Sequence, residues 1–203
     1  MRILDLTRPL LTAPVWRHGG YSDPIPGLAE WCEIAAQGFR VQRLTLGTQS
    51  GTHVDAPAHF VDGGATLEAL SVTALIGLYF HLSAADLSCL AALEARLEAL
   101  KAEPILFLIA PATPVPEAAL ERLLGLKRRV WVLSGLLAVE GRPETHANLR
   151  LAESGSFLVE DIDPEAAAVT PRRGVIAALP LRLDGATGSP CRVVVFEPDS
   201  WLS

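Results

Sequence analysis

The stretch Leu78–Ala110, LYFHLSAADLSCLAALEARLEALKAEPILFLIA, decides the fold class. Leu78–Leu82 is a short apolar run of strand length. Leu87, Leu90, Leu93, Leu97 and Leu100 then recur at spacings of three and four, which puts them on one stripe of a helix spanning about Leu87–Ala102. Pro104 closes that helix, and Ile105–Ala110 is a second apolar run. Working outward, Pro116 is a good first-turn residue for a helix reaching Leu124, with Gly125 as its stop, and Val130–Ser134 is a third strand. Strand, helix, strand, helix, strand implies an α/β domain built around a sheet. Further strands are expected at Arg2–Leu6, Phe39–Thr48, Phe157–Val159, Val175–Leu179 and Arg192–Phe196. Two long Pro/Gly-rich stretches, Leu10–Gly27 and Asp55–Gly64, are expected to be loops, and loops of that length are commonly functional.

Bulk composition narrows the partners. With 203 residues, half of them apolar, the chain is long enough for a sizeable core, and one compact domain over residues 1–203 is expected. A formal charge of -6, with no basic run longer than Lys127-Arg128-Arg129, lacks the electrostatic footprint of a nucleic-acid binder. The opening MRILDLTRPL has no signal-peptide pattern, and no run approaches the roughly 20 apolar residues of a spanning helix. A cytoplasmic protein with no membrane partner is therefore expected. Cys32, Cys89 and Cys191 are odd in number and widely spaced, which predicts buried, reduced side chains rather than a disulfide framework or thiolate metal site. Trp16, Trp31, Trp131 and Trp201 add apolar material that self-association could bury.

Chemistry concentrates in Gly51-Thr52-His53-Val54-Asp55-Ala56-Pro57-Ala58-His59, two imidazoles and a carboxylate within seven positions, all competent metal ligands. In extended chain, residues two apart share a face, so His53 and Asp55 project together from the end of the preceding strand. Pro57 then turns the chain out of the strand and can bring His59 back beside them. Thr52 can orient a ligand through its hydroxyl. Trp16, His18 and Tyr21, beside Gly19-Gly20, offer stacking faces for a substrate pocket. His81, inside an apolar run, reads as a hydrogen-bonded strand residue, and Asp161 and Asp163, ahead of Pro164, as turn and helix-start residues. No G-x-S-x-G elbow, P-loop or G-x-G-x-x-G occurs, which removes the usual sequence support for serine hydrolases and nucleotide enzymes.

The segment Gln49–His59 resembles the motif H-x-G-T-H-x-D-x-P-x-H of the cyclase-like hydrolases, which include bacterial kynurenine formamidases and isatin hydrolase. Asp5-Leu6-Thr7-Arg8-Pro9-Leu10 looks like the opening strand of that family, and Leu179–Pro190 like its closing strand and turn. The resemblance implies a mixed β-sheet flanked by helices, a homodimer or larger homo-oligomer, a small-molecule substrate, and one or two divalent ions, zinc or manganese. It implies metal ligation by His53, Asp55 and Glu160, with Gln49 in place of the first motif His and His146 as a further donor, and proton transfer by His59. It also implies hydrolysis of an amide or cyclic amide C–N bond, as in arylformamidases. Two departures matter: Gln49 is a weaker donor to zinc than imidazole, and counting back from Gly155 puts Asn148 where the family carries His, with His146 two residues early. They frame the alternative, a catalytically impaired relative that binds a small ligand or partner in the same cleft. Metal-free acid–base chemistry by Asp55 and His59 is a further alternative.

Overall fold

The computed structural model describes residues 2–101 and 103–197, so Ala102 and Trp201 lie outside the described residues. Its strands are β1 (Arg2–Asp5), β2 (Arg17–His18), β3 (Tyr21–Ser22), β4 (Gly27–Cys32), β5 (Val41–Thr45), β6 (His53–Asp55), β7 (Ile76–Leu82), β8 (Ile105–Leu108), β9 (Val130–Leu133), β10 (Phe157–Glu160), β11 (Arg173–Pro180) and β12 (Gly188–Glu197). The main sheet runs β1-β12-β11-β7-β8-β9-β10-β6, and β6 also pairs with β12. That extra pairing joins the two ends, so seven strands close into a barrel with β1 as a spur on β12. The expected mixed sheet is present: β7, β8, β9 and β10 are parallel neighbours, while β11, β12 and β6 join antiparallel.

Alternation along the central strands sorts the core into two. Tyr79, Ile105, Phe107, Val130, Val132 and Val159 share one cluster with Val54, Ile176, Val193 and Val195 from the antiparallel side. The intervening residues Phe80, Leu82, Leu106, Leu108, Trp131, Leu133 and Leu158 face the helices, packing on Leu87, Leu93, Leu120, Leu123 and Leu151. Each strand here is buried on both faces, which is why it reads as a continuous apolar run rather than as alternation.

The helix expected over Leu87–Ala102 is three short pieces, Ala84–Leu87, Leu90–Glu94 and Leu97–Lys101. A capping box starts the first, with Ser83 and Asp86 bonded reciprocally, and Cys89 is extended at φ -155 and interrupts the path. The leucine stripe survives the breaks, because Leu87, Leu93 and Leu100 are all buried. The second helix is Glu117–Leu124, with Pro116 and Gly125 at its caps. Sequence reasoning missed two helices, His146–Glu153 and Pro164–Ala168. It did identify the start of the latter, where the Asp163 carboxylate accepts from the Glu165 and Ala166 amides.

Two regions stand apart from the barrel. The stretch expected as a plain loop, Leu10–Gly27, contains the hairpin of β2 and β3, and the expected strand Phe39–Thr48 shortens to β5, which among the described residues pairs with β4 alone. Of the cysteines, Cys191 is buried as expected, but Cys89 is exposed and Cys32 half-buried. No helix among the described residues is long and apolar enough to cross a membrane.

Candidate metal centre

His53 and Asp55 do not project from the end of the preceding strand. A turn through Thr48–Thr52 separates them from β5, and they occupy β6, a strand of three residues. Gly51, at φ +61, supplies the left-handed step in that turn, and Leu10 Cδ1 lies 3.2 Å from where a Cβ would sit. Strand β6 is gripped on both sides: His53 stands opposite Glu160 of β10, and Asp55 opposite Gly188 of β12. Cross-strand partners share a face, as do residues two apart, so this register alone carries His53, Asp55 and Glu160 to one side while Val54 turns into the core.

One ligand atom from each of His53, Asp55 and Glu160 lies within 4.8 Å of the others. The His53 Nδ1 contacts the Gly51 carbonyl at 2.7 Å, which fixes that nitrogen as the donor and points Nε2 at the carboxylates. Nε2 lies 3.3 Å from Asp55 Oδ1 and 3.4 Å from Glu160 Oε1, close enough for ion pairing but without hydrogen-bond angles. Both Asp55 oxygens are buried and lack a partner as well. Buried polar atoms are seldom left so, and these two side chains with a Glu160 oxygen beside them fit a divalent cation held by one imidazole and two carboxylates. Electrostatics agree. Burial pulls the His53 imidazole down, yet Asp55 and Glu160 overcome it and hold it well above the usual histidine range. Burial, reinforced by Asp55, pushes the Glu160 carboxyl up against the opposing pull of His53.

Neighbouring groups brace this cluster. The Thr52 hydroxyl donates to the Asp161 carbonyl at 2.7 Å and accepts from the Arg8 amide at 3.0 Å, tying the chain after β1 to the end of β10. Asp161 itself takes φ +55, an uncommon conformation for a residue other than glycine, directly after Glu160. Asn148, on the helix His146–Glu153, is buried and its Nδ2 donates to Glu160 Oε2 at 3.0 Å. Sequence counting placed Asn148 opposite the family's His, but nothing in the sequence announced its bond to Glu160.

The cluster opens into a cavity of about 560 Å³, inside the roughly 300–1,000 Å³ range of small-molecule sites. His53, Glu160, Gln49, His59, Trp16 and His18 all line it. Trp16 and His18 stack at 5.5 Å with their planes 9° apart. His59, at the end of the turn Pro57–His59, is exposed at the lip, its ring edge-on to Phe60 at 4.6 Å, and does not join the three clustered ligands. Gln49 is held by Thr48, whose hydroxyl donates to Oε1 at 2.5 Å. His146 is not brought to the cavity: its Nε2 contacts Glu117 Oε1 at 3.0 Å. His81, expected to be hydrogen-bonded, is buried with both ring nitrogens unpartnered. It stacks on Phe107 at 5.1 Å, and burial followed by Arg172 lowers its pKa.

A family profile described as "Putative cyclase" matches residues 4–117, more than half of the chain, and the chain belongs to that cyclase family. The fold is similar to that of an isatin hydrolase bound to the product analogue thioisatinate, at 23% identity and TM-score 0.75 over 97% of this chain and 92% of that one. It is also similar to isatin hydrolase A from Labrenzia aggregata, at 20% identity and TM-score 0.75 over 96% and 93%. A third similar structure is that of a "predicted metal-dependent hydrolase" from Bacillus stearothermophilus, at 23% identity and TM-score 0.69 over 97% and 98%. No curated protein matches the chain by sequence.

Proposed function

We propose that the protein is a metal-dependent hydrolase that cleaves an amide or cyclic amide C–N bond in a small molecule. The carrying observation is the convergence of the buried, partnerless His53 Nε2 and Asp55 carboxylate with a Glu160 oxygen, His53 and Glu160 lying on the wall of a small-molecule cavity. His53, Asp55 and Glu160 would hold a divalent ion, zinc or manganese, which would supply Lewis acidity toward a carbonyl and make water more acidic. Gln49 adds a neutral amide donor at the cavity wall. Trp16 and His18 orient a planar substrate by stacking. At the lip, His59 accepts a proton from the attacking water and returns it to the departing nitrogen, so that the C–N bond breaks as the new C–O bond forms. The reading extends to a single domain in a cytoplasmic homo-oligomer.

Elemental analysis after growth with added zinc and manganese tests it. Stoichiometric metal that is lost in His53→Ala, together with metal-dependent turnover of aryl formamides or isatin-like lactams, is the expected result. Purified protein without metal, or turnover unchanged by a chelator, overturns it. One observation favours a second reading, a relative that binds without turnover: Asn148 and Gln49 stand where the family motif carries histidines, and Asn148 is bonded to Glu160. Under that reading, Gln49→His together with Asn148→His creates hydrolysis that the natural chain lacks.

A further inference from the structure

We propose that the cavity selects a substrate bearing a positive charge beside a planar ring, with Asp23 and Glu144 as the selecting groups. The inference rests on the cavity being the substrate site of the proposed hydrolase. Of the described residues that line it, Asp23, Glu144, Glu160 and Asp161 carry carboxylates, and none is Lys or Arg.

The nearby cations are turned elsewhere. Arg17 falls between Trp16 and His18 on the β2 hairpin, where alternation sends its neighbours to the cavity side and leaves it off the lining. Arg142, just ahead of the lining residues Pro143 and Glu144, reaches back to Glu117 at 2.7 Å. Arg8 donates from Nε to the Ile162 carbonyl at 3.2 Å and does not line the cavity. A divalent cation on His53, Asp55 and Glu160 matches the charge of those two carboxylates, and Arg8 and His53 act on Asp161. Asp23 and Glu144 therefore leave the entrance negative, with the His18 Nδ1 3.3 Å from Glu144 Oε2. Inside the same cavity, His53 is only 3% exposed and its Nε2 lacks a hydrogen-bond partner, so the wall facing this entrance is built to receive a ligand.

The aromatic groups lie beside the carboxylates. Tyr21 and Trp16 are 56% and 39% exposed, unusually open for such rings, and stand 6.0 Å apart at 54°. The Tyr21 hydroxyl donates to Asp23 Oδ1 at 2.8 Å, which fixes ring and carboxylate as one unit. A ring stacked on Trp16 with an ammonium near Asp23 and Glu144 gains π-stacking, cation–π attraction and ion pairing together. An anionic substituent in the same place meets only repulsion. Amide hydrolysis converts the acyl group to a carboxylate, so the same field also drives the acyl product out.

Three ring-matched formanilides test this on the metal-loaded protein: para-aminomethyl, para-methyl and para-carboxylate. The expected order of kcat/KM is ammonium over neutral over carboxylate, with steps of about tenfold, the size of a one-charge interaction at about 6 Å in a partly solvated site. Asp23→Asn with Glu144→Gln brings the three within about twofold, and raising salt from about 0.05 to 0.5 M shrinks the preference. Glu144→Gln alone, a change at an exposed side chain, gives an intermediate ratio and guards against a double variant that fails to fold. Calorimetry with the matched ligands benzylammonium, benzyl alcohol and benzoate reads the same order without turnover. Equal or reversed order with intact turnover overturns the charge selection and leaves the hydrolase reading standing. No turnover of any formanilide or isatin-like lactam, with benzylammonium still preferred, overturns the hydrolase reading and supports cation preference as a property of the cavity alone.

Discussion

Asn148 Nδ2 donates a 3.0 Å hydrogen bond to Glu160 Oε2, while the other oxygen of the same carboxylate faces His53 Nε2 at 3.4 Å. One carboxylate thus has one oxygen braced by an amide and the other left for the cluster. Groups that orient a ligand typically contribute a factor of about 10–100 in metal affinity. Asn148→Ala is expected to weaken zinc or manganese binding by that factor, measured by competitive metal titration. An unchanged affinity would remove Asn148 from this role.

Gly188 of β12 stands opposite Asp55 of β6. A Cβ there would lie 2.7 Å from the Val54 carbonyl oxygen and 2.6 Å from Gln49 Nε2. Backbone cannot retreat cheaply, so Gly188→Ala is expected to cost about 1–3 kcal/mol in urea unfolding and to disturb the cluster as well. Full stability with native metal content would show that the strands have more room than these distances allow.

The Asp86 carboxylate accepts from the Ser83 amide at 2.9 Å and hydroxyl at 2.6 Å, and pairs with Arg172 at 2.7 Å and Arg96 at 3.0 Å. Burial pushes its pKa up, but these bonds win and hold it well below the carboxylate range. Because the folded value lies below the unfolded one, the stabilisation is complete above the unfolded pKa of about 3.9 and is lost as pH falls through the folded value. Asp86→Asn is expected to be about 1–3 kcal/mol less stable at pH 7, the arginines being half exposed and partly screened, and this deficit narrows below about pH 4. Urea melts at pH 7, 4 and 3 check it; a deficit that stays constant would refute it.

Burial pushes the Cys191 thiol up to about 12, while Cys89 is exposed. Alkylation of the folded protein near neutral pH, followed by mass spectrometry, is expected to modify Cys89 well before Cys191, which becomes reactive only on unfolding. Early labelling of Cys191 would mean that β12 opens locally.

Much of the sheet was legible because its buried strands are unbroken apolar runs, as at Leu78–Leu82, Ile105–Ala110 and Val130–Ser134. The leucine stripe predicted burial correctly but not continuity, since periodicity reports which residues face the core and says little about whether the axis bends at Cys89. Strand β6 was hidden for a different reason: three residues are too few for any pattern, and their extended path is imposed by β10 and β12 rather than by local preference. Glu160 was singled out through the family resemblance, and its place opposite His53 is a matter of strand register, which spacing alone does not give. His146 and Asn148 show the same limit on a helix. At about 100° per residue the two point to very different sides, so one faces Glu160 and the other Glu117, and only the packing of the helix decides which.

The seam that closes the barrel also has a consequence in time. His53 and Asp55 are made early, but the strands that hold them, β10 and β12, come more than a hundred residues later. A nascent chain leaving the ribosome therefore carries two of the three clustered side chains without any scaffold to aim them. The cluster is complete only once the segment through Pro190 has docked beside His53.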